Sequence, residues 1–268
     1  MPTCITPTTL AALLLFAPGA TGHDLWLIPP DGATNKSLSV RAVSGSKFPK
    51  GDHAPDPAKF ARRLIVNPDG DKSPLAAAGT DDTAGLLRFD TPSPGVYAIA
   101  VETSPKMIEL GAAAFNDYLI SDGLPHIFLL RSKEGTLDKP AKERYSKSPK
   151  AFLRVGSGGK GDPTKPVGLL LEIVPLKDPF AVKPGDALKV RVLFRGEPLA
   201  AANLGWDHPG SDGDQPAGTA RTNGNGEALI PVAHTGLMTI RLTHMTRPKT
   251  AEYEWDSFWT TLTFRIPE

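Results

Sequence analysis

Apolar and polar residues alternate in short runs along most of this chain, and clusters of glycine, proline and aspartate separate the runs. Alternation with a period of two marks strands that bury one face. Leu38–Val43, Arg62–Val66, Leu86–Phe89 and Val96–Val101 fit it in the first half. In the second half Gly168–Val174, Ala187–Phe194, Gly226–Val232, Met238–Thr246 and Ser257–Ile266 fit it more cleanly. Pro184-Gly185-Asp186 is a turn that launches one of these strands, and Asn223-Gly224-Asn225-Gly226 is a hairpin signal. A different spacing, near three to five, relates Leu110, Phe115, Tyr118 and Leu119, and predicts a helix over Glu109–Asp122 that Gly123 ends. His126 then begins a strand-like run, Ile127–Leu130. The charged segment Lys133–Lys150 admits a short helix around Lys139–Ser146.

These elements predict a mainly β protein of two β-sandwich, immunoglobulin-like domains, the first with a short helical insertion. Residues 23–155 form the N-terminal domain, the glycine- and lysine-rich stretch 156–166 a linker, and residues 167–268 the C-terminal sandwich.

Residues 1–22 are set apart because they carry no charged side chain. Their apolar run, Leu10–Phe16, would rise only ~10 Å as a helix, far less than the ~30 Å of a bilayer core. It is the length of a signal-peptide core, with Ala20-Thr21-Gly22 as the cleavage site. The expectation is therefore a periplasmic or secreted protein with no stable membrane anchor after cleavage. Cys4 is the one cysteine of the chain, and cleavage would remove it, which excludes disulfides, thiolate metal sites and a cysteine nucleophile. The formal net charge of +1, with dispersed basic residues, offers no nucleic-acid surface. Gly156-Ser157-Gly158-Gly159-Lys160-Gly161 has the GxGxxG spacing but not the strand-to-helix setting of a dinucleotide loop, and there is no GxSxG elbow or Walker loop.

Several ordered motifs resemble the DUF4198 family. They are His23-Asp24-Leu25-Trp26-Leu27, Phe115-Asn116-Asp117-Tyr118-Leu119 with Gly123-Leu124, and Glu143-Arg144-Tyr145-Ser146 with Lys150 and Val155-Gly156. Leu171-Glu172-Ile173-Val174-Pro175, Lys183-Pro184-Gly185-Asp186, Ala220-Arg221-Thr222-Asn223 with Gly226, His244-Met245 and Trp255-Asp256-Ser257 complete the set. The chain departs at Pro149 and at His208-Pro209. The resemblance implies a NikM-like periplasmic component associated with nickel or cobalt uptake, and hence a metal-uptake membrane transporter as partner.

The residues themselves point to metal at one place. Cleavage after Gly22 makes His23 the first residue, whose α-amine and imidazole Nδ1 form a ready chelate. Such nitrogen donors suit nickel, copper and zinc. His244 is the expected second imidazole, on the apolar face of its strand with Ile240 and Leu242, while Met245 points away. Asp256 is the expected carboxylate, as a ligand or as a support for a histidine. The site is thus read as His23, His244 and Asp256, holding nickel, cobalt or copper. The alternatives are an exposed terminal histidine with a buried, satisfied His244, a copper histidine-brace oxidoreductase, and a structural or adhesion sandwich without metal. His53, His208 and His234 are read as surface or turn residues.

Overall fold

The computed structural model describes residues 23–32, 36–211 and 215–268, so the expected signal peptide lies outside the described residues. Strand makes up 49% of the chain and helix 9%, and the sheets stay open. The strands are β1 (Asp24–Ile28), β2 (Ser37–Gly45), β3 (Phe60–Val66), β4 (Lys72–Pro74), β5 (Ala76–Thr80), β6 (Ala84–Asp90), β7 (Gly95–Thr103), β8 (Lys106–Leu110) and β9 (Ala141–Lys147). There follow β10 (Lys150–Val155), β11 (Leu171–Pro175), β12 (Ala187–Phe194), β13 (Glu197–Pro198), β14 (Asn203–Asp207), β15 (Gly218–Arg221), β16 (Glu227–Pro231), β17 (Gly236–Thr246) and β18 (Trp255–Ile266). Two helices, α1 (Ala112–Ser121) and α2 (Pro125–Lys133), lie between β8 and β9.

A ten-stranded sheet forms the middle layer, with the main path β15-β14-β17-β18-β10-β7-β3-β4 and with β8 and β9 attached beside β18. Its central strands are buried on both faces, and strand geometry explains how. Successive side chains of Val96–Val101 point to opposite sides. Val96, Ala98 and Ala100 therefore join the core against β11 and β12, while Tyr97, Ile99 and Val101 join the core against β1, β2 and β6. The middle sheet thus shares its two faces between two sandwiches, mainly β and immunoglobulin-like in packing as the alternation predicts. Strands from both sides of the expected linker enter this one sheet: Lys150 and Ala151 of β10 pair in parallel with Leu262 and Thr263 of β18. The 156–166 segment itself lies along β7, where Val96 donates to the carbonyl of Lys160.

Two local expectations fail. Ala141–Lys147 is a strand, because it pairs in parallel with Trp255–Trp259 of β18 and its buried Ala141 and Glu143 alternate with the more exposed Lys142 and Arg144. His126-Ile127-Phe128-Leu129-Leu130 is part of α2, where Pro125 occupies the first turn and needs no amide partner. The helix α1 appears where expected and ends before Gly123, which takes φ +73°.

One ion pair ties the layers together. Lys150 on β10 and Glu172 on β11 meet at 2.6 Å, each with a side chain only 1% exposed. Glu172 also accepts the amides of Val167, Gly168 and Leu169 at 2.8, 2.9 and 3.1 Å. Burial works to raise its carboxyl pKa, but Lys150 and these amides outweigh that effect and hold it below the ordinary value.

Candidate functional site

The N-terminal strand explains where the site lies. Asp24 pairs with Gly45 across the β1–β2 ladder, so His23 sits at the open end of the hairpin. Beyond Gly45 the chain makes a short excursion and returns: Asp52 donates its amide to the Ser44 carbonyl at 2.8 Å, and His53 bridges to Ser44. Gly45 permits this return, since a Cβ there would stand 2.2 Å from the Lys50 carbonyl oxygen. Asp52 and His53 are thereby delivered to His23. The Nε2 of His23 is 3.1 Å from Asp52 Oδ2, and the rings of His23 and His53 have centroids 5.5 Å apart. Burial first, and the charges of His23 and Lys147 next, lower the His53 pKa.

His23 and His53 stand at the edge of a pocket of about 600 Å³ whose apolar surfaces include Leu25, Phe60, Ile108, Leu110 and Trp259. Parallel pairing of β9 with β18 supplies its polar interior. Glu143 is opposite Trp255, Tyr145 opposite Ser257, and Lys147 opposite Trp259. The Glu143 Oε1 accepts a hydrogen bond from Ser257 Oγ at 3.2 Å, and that oxygen accepts one from Trp259 Nε1 at 3.3 Å. Glu143 and Tyr118 are each 3% exposed, yet neither Glu143 Oε2 nor the Tyr118 hydroxyl has a partner at hydrogen-bond geometry. The two are near enough to influence one another: burial first, then Glu143, pushes the Tyr118 phenol well above its ordinary pKa. Burial is also the main reason that Glu143 is pushed up to about 7, helped by Asp122. Lys147 is brought down to about 8 by burial, against the attraction of Asp24 and Asp122. Its ammonium donates to the His23 carbonyl and lies 5.2 Å from the Trp259 ring and 5.7 Å from the Tyr145 ring.

The raised carboxyl of Glu143 sets a sign for stability. A carboxyl whose folded pKa exceeds its unfolded value stabilises the fold fully only below the unfolded pKa, and that contribution is lost as pH rises toward about 7. Glu143→Gln, neutral at every pH, escapes that loss. Its stability relative to the parent protein is therefore expected to be about 2–3 kcal/mol greater at pH 8 than at pH 4.5. Urea denaturation at the two pH values measures this, and an equal difference at both would refute it.

Behind the pocket, Asp24 is turned away from it and toward Arg241, whose guanidinium lies 3.4 Å from Asp24 and 3.3 Å from Asp207. Burial raises the Asp24 pKa in spite of Arg241 and Lys147. Asp122 accepts from Thr243 Oγ1 at 3.2 Å and is raised to about 7, first by burial and then by Asp24. The Asp of the His23-Asp24 pair is thus an anchor for β1.

The expected pairing of His23 with His244 is not formed. His244 packs against Phe194 at 4.6 Å and is directly opposite Phe258, in the core shared with β12. Trp259, the next residue, faces the His23 pocket. Neighbouring residues of one strand point to opposite faces, so the middle sheet stands between the two histidines. His244 is also brought down to about 4, chiefly by burial and further by His126 and Arg195, which keeps its ring neutral. Asp256 joins neither histidine: its Oδ1 accepts from Arg144 Nε at 2.8 Å. The residue that sequence reasoning set aside, His53, is the imidazole beside His23. Thirty positions separate the two, and only the return of the 46–53 excursion onto β2 brings them together. Among the described residues, no group of three or more His, Cys, Asp or Glu side chains is arranged to hold a metal ion. No described helix is long and apolar enough to cross a membrane.

Comparison with known proteins adds one firm relation. Residues 20–246 match the model of DUF4198, a domain of unknown function. No curated protein matches the chain. Among solved structures, the D0-D1 domain of Intimin is similar at 10% identity, over 91% of this chain and 98% of that one, with a TM-score of 0.20. The human OSCAR ligand-binding domain is similar at 15% identity, over 88% and 97%, also with a TM-score of 0.20.

Proposed function

The chain belongs to the DUF4198 family, and with that premise we propose that it is an exported protein that binds a transition metal ion, nickel, cobalt or copper, at the His23 end of the pocket. The observation that carries this reading is the meeting of His23, His53 and Asp52. An imidazole nitrogen binds such a metal at about 2.0–2.1 Å, which puts each ring centroid roughly 3 Å from the ion. Ring centroids 5.5 Å apart can therefore flank one ion. Asp52 engages Nε2 of His23 and leaves Nδ1 for the metal, the arrangement in which a carboxylate orients a metal-binding imidazole. A third donor is missing from the side chains, and cleavage after Gly22 would create it as the α-amine of His23. Export and delivery to a membrane transporter are part of the same proposal, as the context in which that amine would exist.

The pairing also fixes which variants matter. His53→Ala is expected to weaken nickel or copper binding by about 10–100-fold or more, whereas His244→Ala leaves it within a few-fold. Isothermal titration of the processed protein at one pH and in one buffer decides. Loss of affinity in His244→Ala with full retention in His53→Ala would reverse the assignment. A copper oxidoreductase remains the second reading, since two imidazoles and an amine suit that chemistry as well, and turnover with copper and a reductant distinguishes it.

A further inference from the structure

A metal ion does not account for the rest of the pocket. Its volume of about 600 Å³ lies in the range of sites that enclose organic ligands, roughly 300–1,000 Å³. Its polar atoms are also of the wrong kind to be idle. A buried acceptor or hydroxyl without a well-formed hydrogen bond is costly, yet Glu143 Oε2 and the Tyr118 hydroxyl, neighbours in the wall of this pocket, meet no partner at good hydrogen-bond geometry and have only a weak contact with each other. Lys147 attracts the carboxylate but forms no ion pair with it, because its ammonium is directed to the His23 carbonyl and the rings of Trp259 and Tyr145. Lys59 is within 3.7 Å of Asp56, whereas among the described residues no carboxylate lies within 4 Å of the Lys106 or Lys147 ammonium. The pocket thus presents an acid with one oxygen short of a well-formed hydrogen bond, ammonium groups in the same enclosure, and apolar walls.

We propose that this pocket binds a small zwitterion of the amino-acid class, from a free amino acid to a tripeptide. The ligand's ammonium meets Glu143, whose Oε2 turns from Tyr118 into the pocket to receive it, its carboxylate is drawn to Lys147 and Lys106, and its apolar part lies against Leu25, Leu110 and Trp259. The Tyr118 hydroxyl donates to a ligand oxygen. This inference goes beyond the metal reading and does not depend on it.

The test is isothermal titration of metal-free protein at pH 8 with leucine, Ala-Leu and Ala-Leu-Ala, and with N-acetyl-Ala-Leu and Ala-Leu amide as charge-deleted counterparts. At least one zwitterion is expected to bind saturably, and deleting either terminal charge should weaken it by about 10-fold or more. Glu143→Gln should weaken it by a similar factor, and Tyr118→Phe by a smaller one. Urea denaturation of Glu143→Gln at the same pH shows that the variant is folded, so its loss of binding would not reflect unfolding. His53→Ala should keep zwitterion binding while losing metal, so failure of either reading leaves the other measurable. The absence of saturable binding by all three zwitterions at millimolar concentration overturns the proposal, as does binding that N-acetylation and Glu143→Gln leave unchanged.

Discussion

Lys150→Met is expected to destabilise the protein by about 3–5 kcal/mol, the usual consequence of stripping a buried ion of its partner. The methionine fills much of the volume, so the loss comes from Glu172, which remains 1% exposed with no counter-charge. Three backbone amides still bind Glu172 and keep it from turning to water. These amides close the approach to β11, so the damage falls on the joint between the middle sheet and the β11–β12 layer. The pH dependence follows from the lowered Glu172 pKa. In the parent protein, the stabilising contribution of Glu172 is present above its unfolded pKa and is lost as pH falls through the folded value. Without Lys150 the carboxylate is a liability that acid relieves, so the deficit of the variant should shrink between pH 7 and pH 4. Chemical denaturation at both values checks this. A variant within 1 kcal/mol of the parent at pH 7 would show that the pair contributes little.

That pair illustrates what the sequence could and could not disclose. Lys150 and Glu172 both stand in the motifs that carry the family resemblance, and a lysine in a charged stretch before a strand looks solvated. Its burial follows from β10 being covered on both faces, a property of the assembled sheets. Alternation revealed β12, β16, β17 and β18 closely, because one buried face is enough to impose a period of two. The same cue failed for Ala141–Lys147, where the paired partner, β18, is more than a hundred positions away and the residues between its contacts are charged. At the site, His23 was legible from its position after the small-residue run, and Leu242 and His244 were placed on the correct face. Which histidine would meet His23 was not legible. Pairing across a sheet face depends on which side β1 covers, and Thr261, whose hydroxyl donates to the Leu25 carbonyl at 2.8 Å, puts β1 over the Trp259 face. Glu143 and Tyr118 stand in the motifs of the family resemblance, but the poor hydrogen bonding of Glu143 Oε2 and the Tyr118 hydroxyl is a fact of packing and has no sequence signal.

Metal binding that uses the α-amine makes the first peptide bond decisive. In the processed protein His23 offers an amine and an imidazole nitrogen from one residue, so both donors are positioned at little further entropic cost. One added residue before His23 leaves the ring, His53 and Asp52 in place but turns the amine into an amide, which is a poor donor at neutral pH. Proton competition provides the sign of the accompanying pH effect: affinity decreases as the pH is lowered, because the amine and imidazoles must be deprotonated to bind. The most direct measurement is a nickel and copper titration of two proteins, one beginning at His23 and one carrying a single alanine before it. The processed form is expected to bind at least about 100-fold more tightly. Equal affinity of the two forms, or no binding by either, would contradict the assignment of metal to the His23 end of the pocket.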